Sequence, residues 1–419
     1  MRKRARQGQH LVLVPCPYQG HINPMLQLGT ILHSNGFSIT IAHTNFNSPD
    51  PEAYPDFCFL PIADGLSEVD VSSEVAHIMS TINVNCKLSF QQLMDSQEVE
   101  NIACVIFDEA MYFSEAVATN LKLPSIVLRT TSAANVLARL ALVSLIDQQG
   151  CVRFSDSMSH EMVPQLHPLR YKDLPIPRSL DLKGFTERVI ESYKNKNSSA
   201  VIWNTMDSLE HSCLMQIQQE YCPAPFFPIG PMNKTALITT STSFLKEDTN
   251  CIPWLDKQSP NSVIYVSLGS TACIGQKEVA EMAWGLASSQ QPFLWVVRPG
   301  LVSGLDWIEL LPKGFREGVG ERGCIVKWAP QQEVLAHEAV GGFWSHCGWN
   351  STLESIKLEK MDRGEIEIAV RRLILDGEGE EIRVRARELK EKVELYTRKL
   401  VGGGSQSYLN ELVDLIKSF

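Results

Sequence analysis

The side chains best equipped for chemistry crowd into one stretch, Trp328 to Ile356 (WAPQQEVLAHEAVGGFWSHCGWNSTLESI). A tryptophan follows a short strand (Cys324 to Lys327), a helix lies around Gln332 to His337, and a buried strand runs from Val340 to Trp344. The chain then enters the turn Ser345-His346-Cys347-Gly348-Trp349-Asn350-Ser351 and opens a second helix. A helix start carries unpaired N–H groups and the positive end of the dipole, which together attract phosphate. His346, Asn350 and Ser351 could therefore hold a diphosphate, Glu354 could accept from ribose hydroxyls, and Trp328 could stack on a base. A plainer account also fits, because Ser351 and Glu354 stand at capping-box spacing.

A second pair of reactive groups lies far upstream. His21 ends the turn Tyr18-Gln19-Gly20-His21, between a buried strand at His10 to Pro17 and a helix from about Asn23 to Ser34. Asp108 ends the strand Ala103 to Phe107. Ligands of open parallel sheets bind outside the carboxyl ends of strands, so both residues stand where ligands are met. A carboxylate there can orient an imidazole and stabilise its protonated form, which makes a general base. Each residue has a simpler explanation: His21 could cap the following helix, and Asp108 could N-cap the helix that begins near Ala110. Gly20 belongs to no GxGxxG, which disfavours a pyridine-nucleotide oxidoreductase.

These groups must be positioned by two α/β units. Phe37 to His43 completes a first βαβ unit, and Leu123 to Arg129 adds a buried strand followed by Thr130, Thr131 and Ser132. Those hydroxyls could reach a ligand, although a Ser/Thr turn is the commoner explanation. Ala200 to Asn204 reads as the last strand of the first unit. Prolines 223, 225, 228 and 231 and a Thr/Ser tract mark a linker. Ser262 to Ser267 then starts the second unit, and Gly269-Ser270-Thr271 after it is either a diphosphate contact or a turn that needs room. Phe293 to Arg298 supplies a further strand. The expected domains are 1–222, a linker at 223–250, a second domain at 251–400, and a closing helix within 401–419.

The totals exclude several classes. A net charge of −10 argues against general nucleic-acid binding. The apolar run after the basic start is too short for a secretory signal, and no apolar run spans a membrane. Eleven cysteines without a CxxC or metal-ligand spacing read as reduced thiols of a cytoplasmic protein, with no metal site.

Over Trp328 to Ile356 the sequence closely resembles the donor-binding signature of plant family-1 UDP-glycosyltransferases, and Tyr18 to Pro24 (YQGHINP) resembles their amino-terminal motif. The resemblance implies a GT-B fold: two Rossmann-like domains with parallel sheets facing a cleft. It implies that His21 is the base and Asp108 its orienting acid. Trp328 would stack on uracil, Gln331 would help hold the nucleoside, and Glu354 would bind ribose. His346, Asn350 and Ser351 would contact the diphosphate, Trp349 would lie beside the sugar, and Gly20 and Ser270 would complete the donor site. No cofactor is implied beyond a UDP-sugar co-substrate, with UDP-glucose as the default. A small hydrophobic acceptor and a monomer are expected.

The resemblance breaks at Ile356. In the family a glycine- and proline-containing strand follows, then an acidic residue and a glutamine that hold the sugar. Here Lys357-Leu358-Glu359-Lys360 comes directly after. The second domain is thus expected to lack the strands that follow Trp344, and transfer is expected to be weak or absent. The alternative is an impaired protein that binds UDP or an acceptor without turnover.

Overall fold

The computed structural model describes residues 9–71, 74–96, 101–149, 156–164, 166, 169–176, 181–193, 197–236, 245–302, 311–346, 348–349 and 404–419. The chain forms two compact units. One comprises Met1–Thr242 with Tyr396–Phe419, and the other Ser243–Leu395.

In the first unit, seven strands among the described residues form a parallel sheet. They are β1 (His10–Val14), β2 (Ser38–Thr44), β3 (Cys58–Ile62), β4 (Ile102–Asp108), β5 (Ser125–Arg129), β6 (Ala200–Trp203) and β7 (Phe226–Pro228), in the order β3-β2-β1-β4-β5-β6-β7. The central strands are short, continuous apolar runs because both faces are covered. Alternate residues point to opposite layers. Leu11, Leu13, Cys104, Ile106, Ile126 and Leu128 join a layer with Ile22, Met25 and Leu26 of helix α1 (Gln19–Ser34). Val12, Val14, Val105, Phe107 and Val127 meet the other layer, with Ile82, Phe90 and Val136. The closing helix, Gly404–Lys417, buries Leu409, Leu412, Val413 and Ile416 in the first of these layers.

Strand order reverses direction between β1 and β4, which pair in register from Leu11 with Cys104 to Val14 with Phe107. This is the switch point of the sheet, where two connections leave in opposite senses and open a crevice.

The second unit repeats the design with four strands among the described residues. β8 (Val263–Ser267), β9 (Phe293–Val296), β10 (Gly323–Val326) and β11 (Val340–Ser345) are parallel and lie in the order β10-β9-β8-β11. Its switch point lies between β8 and β11. Val266, Trp295 and Trp344 pack against Val279, Met282 and Leu286 of the helix Gln276–Ser289. Tyr265, Leu294, Val296 and Phe343 pack on the other side with Trp328 and Val334. Among the described residues no helix is long and apolar enough to cross a membrane.

Three details differ from the sequence reading. Helix α1 begins at Gln19 rather than near Asn23, because the Tyr18 carbonyl already accepts from the N–H groups of His21 and Ile22 at 2.8 and 2.9 Å. His21 therefore stands in the first turn of the helix rather than in a loop, and Pro24 lies inside it. Strands β3 and β7 were not expected, and Ala200 to Asn204 is not the last strand of its unit. Both strands are sheet edges and carry proline (Pro61 and Pro228), which is tolerated where one side of the ladder is open.

Candidate active site

At the switch point of the first sheet the end of β4 and the start of α1 bring Asp108 and His21 into contact. His21 Nδ1 lies 2.9 Å from Asp108 Oδ2. The other carboxylate oxygen, Oδ1, accepts the Ala110 N–H at 2.9 Å. Asp108 does not cap a helix near Ala110, because the next helix runs over Phe113–Asn120 with Tyr112 at its N-cap; one oxygen instead orders the turn after β4, and the other faces the imidazole. Thr130, directly after β5, places its Oγ1 2.8 Å from the same Nδ1.

The imidazole is consequently held from one side. An Nδ1–H pointing at two oxygens leaves the lone pair on Nε2, and among the described residues Nε2 has no hydrogen-bond partner. Asp108 is fully buried while the His21 side chain is 32% exposed, so the ring spans from the core to an accessible edge. Burial by itself disfavours the imidazolium. The Asp108 charge and hydrogen bond outweigh it, with help from Glu109 and against Arg139, and the His21 pKa lies above 6.5.

Behind this pair is a buried ionic network. Arg129, the last residue of β5, pairs with Glu109 at 3.1 Å and donates to the Ser192 and Tyr193 carbonyls. Its guanidinium lies over the rings of Tyr193 and Trp203, 4.7 and 5.3 Å from their centroids. Burial pushes the Glu109 carboxyl above its ordinary range, and Arg129 opposes this.

The second unit has its own site at its own switch point. Gly269 follows β8 with φ of +69°, and a Cβ there would sit 2.4 Å from His346 Cε1. A Cβ on Gly348 would sit 2.4 Å from His346 Nε2. The His346 ring is therefore seated between two glycines that nothing larger could replace without displacing it. Arg298, after β9, shapes the loop from beneath: Nε donates to the Gly269 carbonyl at 2.9 Å, Nη1 to that of Pro299 at 3.2 Å, and Nη2 to that of Ala272. Burial, reinforced by Arg298, holds the His346 pKa below 6.5, so the ring is neutral at physiological pH and carries one N–H.

Gln331 starts the helix Gln331–Ala336, and its Oε1 accepts from the Tyr265 hydroxyl at 3.3 Å. Trp328 packs in the apolar cluster that contains Tyr265 and Phe343 and is 9% exposed. Ser270 is half-buried in the turn beside Gly269, Gly20 lies in the first turn of α1, and Trp349 follows Gly348. Asn350, Ser351 and Glu354 lie outside the described residues. Sequence reasoning passed over Arg298 and Tyr265, and it ranked the Thr130 hydroxyl below a simple turn. Only an arginine directly after a buried apolar run hinted at Arg298.

A buried carboxylate that orients an imidazole at one switch point, with a glycine-seated histidine at another, fits a two-unit α/β group-transfer enzyme of the GT-B class. The family model described as UDP-glucoronosyl and UDP-glucosyl transferase matches residues 64–358, and the chain belongs to that family. It is 44% identical to UDP-glycosyltransferase 76E1 of Solanum lycopersicum, over 98% of this chain and 93% of that protein. It is 42% identical to flavonol 3-O-glucosyltransferase UGT76E12 of Arabidopsis thaliana, over 97% of each. Among solved structures, a UDP-glucosyltransferase from Polygonum tinctorium capable of glucosylating indoxyl superposes with a TM-score of 0.80 at 26% identity, over 98% of this chain and 99% of that one.

Proposed function

We propose that this family member transfers glucose from UDP-glucose, with inversion, to a hydroxyl or carboxyl group of a small hydrophobic plant metabolite. We further propose that the chain acts as a cytoplasmic monomer. The observation that carries the assignment is the His21–Asp108 pair, with Nδ1 fixed at 2.9 Å and Nε2 left to face a substrate. Nε2 removes the acceptor proton, the oxygen attacks the anomeric carbon, and UDP leaves from the opposite face. Asp108 stabilises the imidazolium that forms, and Thr130 keeps the proton on Nδ1. A phenolic acceptor agrees with the flavonol and indoxyl named for two relatives.

In this reading the donor is held by Trp328 and Gln331 at the nucleoside, Glu354 at the ribose, and His346, Asn350, Ser351 and Ser270 at the diphosphate. Trp349 lies beside the sugar. The neutral His346 donates an N–H to a phosphate oxygen, and this bond strengthens as charge grows on the leaving UDP. The sugar hydroxyls lack their usual partners, because the segment expected after Ile356 is absent from this chain. An alignment of 447 positions with the tomato relative against 419 residues leaves at least 28 positions without a counterpart here, which supports that reading. Misplacement of the anomeric carbon costs large factors in rate, so transfer by this chain is slow.

The test compares acceptor-dependent UDP release by this chain with that by a version carrying the family segment after Ile356. Faster release by the restored version supports the reading. Equal rates, or release without acceptor, would count against it.

A further inference from the structure

The base belongs to a second constellation that sugar transfer does not use. Cys16 lies two residues past the end of β1, and its side chain is buried at 1% exposure. Its Sγ, a ring nitrogen of His21 and a carboxylate oxygen of Asp108 all lie within 4.8 Å of one another. We propose that Cys16, His21 and Asp108 form an inhibitory binding site for a thiophilic divalent cation of the zinc class.

The donor set suits such an ion. Zinc takes thiolate sulfur at about 2.3 Å, imidazole nitrogen at about 2.0–2.1 Å and carboxylate oxygen at about 2.0–2.2 Å, and three protein ligands plus water is an established arrangement. Ligand atoms around one tetrahedral ion stand roughly 3.3–3.8 Å apart on those bond lengths. The His21 Nδ1 to Asp108 Oδ2 separation of 2.9 Å therefore opens by less than an ångström, while sulfur closes from within 4.8 Å. The bond from the Ala110 N–H to Oδ1 holds the carboxylate in place, as outer partners of metal ligands do. Met79 Sδ stands 3.7 Å from Cys16 Sγ, which adds a second soft donor beside the thiol. Water and the ion enter along the exposed edge of His21.

The proton balance makes this site inhibitory, a consequence that rests on His21 being the base. The ion takes the Nδ1 lone pair, so the single proton of the neutral ring moves from Nδ1 to Nε2. Nε2 then carries a hydrogen where the acceptor's proton should go. The Cys16 thiol releases its proton to solvent as it becomes a ligand. Binding to the protein with a neutral His21 ring therefore releases one proton per ion.

Cobalt(II) is the probe, because a thiolate ligand gives it a charge-transfer band in the near ultraviolet. The full chain is titrated with Co²⁺ alongside Cys16→Ser, His21→Ala and a Cys58→Ser/Cys273→Ser double variant that removes two exposed thiols. The expected result is a band saturating at one equivalent, displaced by Zn²⁺, kept in the double variant and lost in Cys16→Ser and His21→Ala. If Cys16→Ser does not fold, His21→Ala decides, since it removes a ligand at a partly exposed position and leaves the thiol in place. No band in the unaltered chain, or a band that survives His21→Ala, overturns the site and leaves the base assignment standing. A band that behaves as expected, combined with undiminished UDP release by the restored version at saturating Zn²⁺, overturns the inhibitory role and speaks against His21 as the base.

Discussion

Asp108→Asn probes the pair at the first switch point most sharply, because the two oxygens of Asp108 have different partners. Oδ1 accepts the Ala110 N–H and Oδ2 faces His21 Nδ1, each at 2.9 Å. An asparagine has one acceptor and one donor group, and turning its amide nitrogen toward Ala110 would set two donors against each other in a buried turn. The amide oxygen therefore stays with Ala110, and the NH₂ faces Nδ1. That arrangement favours the tautomer with its proton on Nε2, which cannot accept the substrate proton. General-base catalysis contributes about 10²–10⁴ in rate, or about 2.7–5.4 kcal/mol at about 1.36 kcal/mol per decade, and the variant should lose an amount within that range. Removing the carboxylate charge also lets burial dominate, so the His21 pKa falls from its raised value. The unaltered protein loses base activity as pH drops through a pKa above 6.5, and the variant's acid limb moves to lower pH. For stability, the His21–Asp108 interaction is fully present below about 6.5 and is lost as pH rises through the raised folded value. The assay is an NMR titration of His21 in both proteins, with acceptor-dependent UDP release measured across pH in the restored version. A His21 pKa unchanged by the substitution, or a rate reduced less than tenfold, would refute the reasoning.

Other consequences concern each unit separately. Gly269→Ala puts a Cβ 2.4 Å from His346 in a backbone conformation with positive φ. It should cost about 1–3 kcal/mol of stability and weaken UDP binding by calorimetry while leaving the His21 titration untouched. Arg129→Met leaves Glu109 buried without its partner and should destabilise the first unit by about 3–5 kcal/mol in denaturant titrations. Glu210→Ala removes the carboxylate that accepts the Ala133 and Ala134 N–H groups, both at 3.1 Å, at the start of the helix Ala133–Gln149. The expected loss is about 1–2 kcal/mol, read from the same titrations.

What could be read from the sequence followed from physical signals that are strong locally. The strands at the centre of each sheet are apolar runs closed by Gly, Pro or polar residues, and β1, β4, β5 and β8 are legible for that reason. The edge strands β3 and β7 are not, because Pro61 and Pro228 look like breakers until the open side of the ladder is known. His21 and Asp108 were legible as reactive types at strand ends, although 87 residues separate them. Thr130 was weighed and set aside, because a hydroxyl after a strand usually closes a turn and only the register of β4 against β5 brings it to His21. Arg298 was missed because its partners are backbone carbonyls, one of them 29 residues away, and carbonyls have no sequence signature.

The measurement that bears most directly on the account is UDP release from UDP-glucose with a panel of phenolic acceptors, in the restored version and in the same version with His21→Ala. The expected result is acceptor-dependent release that falls about 10²-fold or more in the variant, with UDP affinity unchanged. Release at the same rate without His21 would contradict it.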